Sequence, residues 1–151
     1  MNFAQVLQSL ILMGMLSSTA SDAPRMKVLV LDALDGSPQA GVDVDYLCQE
    51  IPHSLPPPVI TDKTGIAEVP YSCNPGSKIE LWAVSKNRKE GCGGGVLATI
   101  EDIESTGAIS RPDSDGGIWC PTKISLKLKP VPGQVTLFVK KPTWWQSHVA
   151  G

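Results

Sequence analysis

Apolar and polar residues alternate along this chain in short runs separated by turn formers. In residues 42–48, Val42, Val44, Tyr46 and Cys48 share one parity and Asp43 and Asp45 the other. Period-two alternation with charge on alternate positions predicts a strand with one wet face. Residues 77–85 repeat it: Ile79, Leu81 and Ala83 lie together, while Lys78, Glu80, Trp82 and Val84 share the opposite, solvent-facing side. Residues 26–34 are apolar and β-branched at Val28 and Val30. Near the C-terminus, Ile124, Leu126 and Leu128 oppose Lys123, Lys127 and Lys129, and Val135, Leu137 and Val139 line one side of a last strand.

Between these runs stand Gly36, Pro38 and Gly41, a proline triplet at residues 56–58, and a turn over residues 62–65 followed by a strand through Val69. The triplet removes backbone donors and excludes regular structure. After Ser85 the pattern dissolves. Residues 86–122 read as a long glycine-rich insertion in which only "GVLATIEDI" offers a short element. The sum is about seven strands and no amphipathic helix beyond the N-terminal region, which predicts an antiparallel β-sandwich.

The length of 151 residues suits one domain, and the 13 prolines and 14 glycines agree with many turns. A formal net charge of -2 gives no basic footprint for nucleic acid. Residues 6–16 are mostly apolar and are followed by Ser18 and Ala20, the small residues of a signal-peptidase site. This predicts a secretory signal over residues 1–20 and a single mature domain over 21–151. The run falls short of the roughly 20 residues that cross a bilayer. It carries no Lys or Arg ahead of it, so an N-terminal core helix or a retained anchor is the alternative.

The four cysteines, Cys48, Cys73, Cys92 and Cys120, form no CxxC pair and stand beside only 2 histidines, which argues against zinc. In an exported chain an even count points to disulfides. Among the three pairings that four cysteines allow, Cys48–Cys73 with Cys92–Cys120 is preferred, the first tying successive strands and the second closing the insertion.

The stretch "VLDALDGSPQAGVDVDYLC…TDKTGIAEV" combines an opening strand ending in Asp, then G-x-P-x-x-G-V-x-V, then T-D-x-x-G-x-A. In this it resembles transthyretin-like (prealbumin-like) domains, including the regulatory-like domains beside carboxypeptidases and the wider carbohydrate-binding-like fold. The resemblance covers roughly residues 26–84 and is compatible with the last two strands. It implies a β-sandwich and leaves the function open. Gly36 and Gly41 suit positive φ, and Asp62 with Gly65 suits a tight turn. The hydroxyisourate hydrolases of this group carry a His-Val-Leu-Asp start and a Tyr-Arg-Gly-Ser end. Here Leu29 stands at the first histidine's place, and the chain ends "HVAG". The isopeptide-forming pilin sandwiches need an Asn or Asp on the last strand to meet a lysine such as Lys27, and residues 133–145 hold neither.

Other chemistry is thinly supported. His53 and His148 lack a nucleophile held by a base and a carboxylate, since Ser147 and His148 are neighbours in an extended chain and point apart. Glu101, Asp102, Glu104, Asp113 and Asp115 could offer oxygens to calcium but lack the EF-hand spacing. "EGCGGG" is followed by no G-K-[ST]. The expectation is an exported module with no enzymatic site and no cofactor, binding a protein partner through the 86–122 insertion and the C-terminal aromatics, with Trp82, Trp144, Trp145, Lys140 and Lys141 as candidate binding residues. A carbohydrate-binding module using those tryptophans is the alternative, and a divergent hydrolase built on His53, His148 and the acidic insertion a second. Lysines beside tryptophans would also suit membrane contact. The last strand is expected at a sheet edge, with Pro142 ending its pairing and Trp144 and Trp145 folding back as a lid.

Overall fold

A computed structural model of the chain describes residues 23–50, 55–84, 90–92, 95–111, 120, 124–125 and 127–140. Among them run β1 (Arg25–Asp32), β2 (Asp43–Cys48), β3 (Val59–Ile60), β4 (Ile66–Pro70), β5 (Lys78–Val84), β6 (Glu90–Gly91), β7 (Val96–Thr99), the helix α1 (Ile100–Thr106), β8 (Ala108–Ile109) and β9 (Gln134–Lys140). One sheet has the order β4-β1-β9-β6, with β8 also pairing β9, and the other the order β3-β2-β5-β7. Their inner faces enclose a core that includes Val28, Val30, Val44, Ile79, Leu81 and Leu137, capped by Ile103 of α1. The chain is therefore an all-β sandwich with one short helix.

The alternation that predicts β2 and β5 is what the fold buries. Val44 and Tyr46 of β2 face Ala83 and Leu81 of β5 in register, and Trp82 falls on the other side opposite Asp45. Asp43 departs from the pattern, being only 3% exposed on a face expected to be wet. It sits in register between Ile60 of β3 and Val84 of β5.

The two halves of the glycine-proline motif pack on each other. Gly36, Gly41 and Gly65 all adopt positive φ. Thr61 is buried; its Oγ1 accepts from the Val42 N–H at 2.9 Å and donates to the Gln39 carbonyl at 2.7 Å. A Cβ on Gly65 would stand 2.9 Å from the Gln39 nitrogen, Pro38 Cβ and the Val30 carbonyl oxygen. Asp62 Oδ1 accepts from the Thr64 and Ile66 N–H groups at 2.8 and 3.1 Å, holding the turn that carries the chain from one sheet to the other.

Four expectations need correction. The last strand is central: β9 runs parallel to β1 on one side and pairs β8 and β6 on the other. Parallel neighbours need a long crossover, and here the chain builds the whole second sheet between them. In the segment 122–130, the described residues 124–125 and 127–130 do not form the strand that its alternation predicts. The Lys127 N–H donates to the Ile124 carbonyl at 3.0 Å, which makes a turn, and Ile124 packs against the outside of the β1–β9 sheet. Alternation reports one-sided burial, which a turn lying on a sheet supplies as well as a strand does.

The insertion, thirdly, is built into the sandwich, contributing β6, β7, α1 and β8. The helix, fourthly, has a signal that hydrophobic period alone passes over. Thr99 caps it by accepting from the Asp102 N–H at 3.1 Å, Ile100 and Ile103 face the core, and Gly107 ends it at φ 77. A Thr-x-x-Asp start with a glycine stop marks such a helix of about two turns.

Candidate functional site: the open face of the four-stranded sheet

The outer faces of the two sheets differ. Outside the β1–β9 sheet, Leu31, Ala33, Cys92 and Phe138 form a second buried cluster, joined by Leu29, Ile109, Cys120 and Ile124. The Cys92–Cys120 disulfide lies in this layer, with Cα atoms 5.6 Å apart. Because residues of β9 pack on both sides, the strand is buried from Val135 to Lys140. Lys140, expected at an exposed binding surface, is only 8% exposed. Its even parity places it with Thr136 and Phe138 on the covered side, which removes it from any free surface.

Outside the other sheet the apolar side chains stay accessible. Ile60 is 60% and Leu97 49% exposed, and Leu47, Trp82 and Val84 are part-buried. The strand register arranges them. Leu47 of β2, Glu80 of β5 and Leu97 of β7 form one row, and Asp45 and Trp82 form the next. One step past the Leu81–Val96 pair, Gly95 lies against Trp82. A Cβ there would collide with the Leu81 carbonyl oxygen, so only glycine fits. Trp82 thus has Asp45 beside it on β2 and Gly95 beside it next to β7. The collision gives a steric reason for one glycine of the "GCGGG" run.

Two clefts accompany the sheets. One, of about 300 Å³, lies beside the Cys48–Cys73 disulfide and is lined by Tyr46, Tyr71, Pro56 and Pro70, among others. Burial pushes the Tyr46 phenol upward. The Tyr71 phenol is raised first by burial and then by its hydrogen bond to Glu104, donated to Oε1 at 2.9 Å. Glu101 Oε1 likewise accepts from the Gly76 N–H at 3.0 Å. Glu101 and Glu104, two of the helix carboxylates weighed for calcium, therefore fasten loops. Among the described residues no three His, Cys, Asp or Glu side chains gather as a metal cluster. The other cleft, about 450 Å³, lies between β7 and β8 and is lined by residues of both strands together with Ser110, Arg111 and Ser125.

The structure pairs Cys48 with Cys73 and Cys92 with Cys120, and no cysteine is free. Such pairing points to an oxidising, exported environment. Among the described residues no helix is long and apolar enough to cross a membrane. The predicted leader, His53, Asp113, Asp115, Trp119, Lys141, Trp144, Trp145 and His148 lie outside the described residues. Of the expected binding residues, only Trp82 is described at an accessible surface. Sequence parity finds it, whereas its neighbours Ile60 and Leu97 come from strands too short or too irregular to read. No protein-family model matches the chain, and no curated protein matches it.

Proposed function

We propose that this chain is an exported, non-catalytic β-sandwich module, working in the periplasm or outside the cell, that binds a protein partner through the open face. The observation that carries this reading is the asymmetry of the sandwich. One outer face is sealed by its own chain and a disulfide. The other leaves Ile60, Leu97 and Trp82 accessible in adjoining rows. Clustered aliphatic side chains around an aromatic anchor have the composition of an interface centre.

The transthyretin-like resemblance belongs to this reading and is supported by the mutual packing of its two motif halves around Thr61 and Gly65. Leu29, at the place of the hydrolases' histidine, packs with the sealed cluster, which speaks against a hydrolase there. A glycan reading is favoured by one feature, Trp82 beside the carboxylates of Asp45 and Glu80, since an indole can stack on a sugar ring. Branched aliphatics at Ile60, Leu97 and Val84 offer hydroxyls no hydrogen bond, and they place the protein partner first.

A photo-cross-linking residue placed at position 97 of the full chain, in the envelope or secreted fraction of its source cells, tests the reading. A discrete protein adduct from position 97, absent from the exposed turn position 63 and lost on Trp82→Ala, is the expected result. Adducts of equal yield from both positions, or none from 97, would overturn it. Retention on insoluble polysaccharide that Trp82→Ala abolishes would replace it with the glycan reading.

A further inference from the structure

We infer that the open face recognises a cationic side chain, an arginine or lysine of the protein partner, seated on the Trp82 indole between Asp45 and Glu80. The inference rests on the open-face reading and specifies its chemistry. Asp45 is directly cross-strand from Trp82, a position that holds Cβ atoms about 5 Å apart. Glu80 is two residues away on the same strand and the same face, roughly 7 Å along. Both carboxylates are therefore within reach of a group resting on the ring. A cation over an indole is held by the ring's negative face, and tryptophan is the best of the aromatic side chains for it. Carboxylates at its edge add charge-assisted hydrogen bonds that suit a guanidinium's fork.

On the β7 side the residue beside Trp82 is Gly95, which is exposed and is barred from carrying a side chain by the Leu81 carbonyl. The nearest described cation on this face is Lys78, one position beyond Glu80's row at the exposed end of β5. Among the described residues, the charged side chains next to Trp82 on this face are Asp45 and Glu80, and charge complementarity selects a basic partner over an acidic one. Leu47 and Leu97 flank the Glu80 row, offering apolar contact to the stem of a long cationic side chain, whose methylenes pack on such surfaces.

The probe is a displayed library of random dodecapeptides, selected on the full disulfide-bonded chain after depletion on the Trp82→Ala variant. Retained peptides are expected to be enriched in Arg and Lys. A synthetic peptide of their consensus should lose about tenfold or more in affinity for the double variant Asp45→Asn with Glu80→Gln, which keeps the side-chain shapes. It should also weaken when salt is raised from about 0.05 M to about 0.5 M, as screening requires. Peptides without basic residues that still depend on Trp82 and Leu97 would overturn the cation while sparing the open face. Absence of any peptide sensitive to Trp82→Ala or Leu97→Asp would overturn both. A single cooperative thermal transition retained by each variant shows that the fold is intact, and a second copy of the chain as occupant would appear as a dimer in sedimentation.

Discussion

The two outer faces of this sandwich begin from similar strands and end differently. β9 offers Thr136, Phe138 and Lys140 outward, and the chain returns over them with Ile124 and the Cys92–Cys120 disulfide, so that Phe138 is 1% exposed. β5 offers Glu80, Trp82 and Val84 outward, and these stay part-buried with Leu97 at 49%. The difference teaches that an outward-facing aromatic is defined by what the rest of the chain does above it. Phe138 became core because a disulfide-held layer lies on it. Trp82 remains available to a partner.

The comparison breaks first at its most buried member. Phe138→Ala should cost about 3–5 kcal/mol in urea unfolding, and Trp82→Ala about 1 kcal/mol, since truncating a part-exposed side chain opens no sealed cavity. Equal losses would mean that Trp82 is as covered as Phe138. Next comes the seal itself. Replacing Cys92 and Cys120 together by serine should cost roughly 2–4 kcal/mol. Hydrogen exchange should then rise at Ile109 and Phe138 while β2 and β5 keep their protection. Uniform exposure of both sheets would show that the layer is not an independent cover.

The smallest effect belongs to a position that favours neither face. Asp62 sits in the turn joining β3 to β4, where hydrogen bonds from the Thr64 hydroxyl first, and then from the Ile66 and Thr64 N–H groups, hold its carboxyl below the ordinary carboxylate range. A depressed folded pKa contributes stability that is complete above the unfolded value, about 4, and is lost as pH falls through the folded value. Asp62→Asn should therefore lower the urea midpoint slightly at pH 7, with the gap to the parent closing near pH 2. A gap that persists in acid would trace the effect to geometry instead of charge.

Much of the scaffold was legible in the sequence because it depends on near neighbours. Parity places Ile79 and Leu81 inward and Trp82 outward, and backbone φ requirements place Gly36, Gly41 and Gly65. The disulfide partners preferred from chain order are those the fold joins. Legibility fails where burial comes from distant chain. Asp43 reads as wet until Ile60 and Val84 flank it. The run over residues 122–130 reads as a strand until Ile124 is seen in a turn over the sheet. Lys140 reads as a surface anchor until its strand proves central. In the candidate site, Trp82 was found from its own run, but Gly95 and Leu97 reach it only through β7.

What the sequence determined by itself is the class of fold and the identity of its turns, because alternation, glycine and proline act within a few residues. Only the tertiary structure decided that the first and last strands lie side by side in parallel, and that one face is sealed and the other open. Those outcomes depend on which segments, far apart in the chain, compete to cover the same apolar surface. No local pattern encodes the winner of that competition.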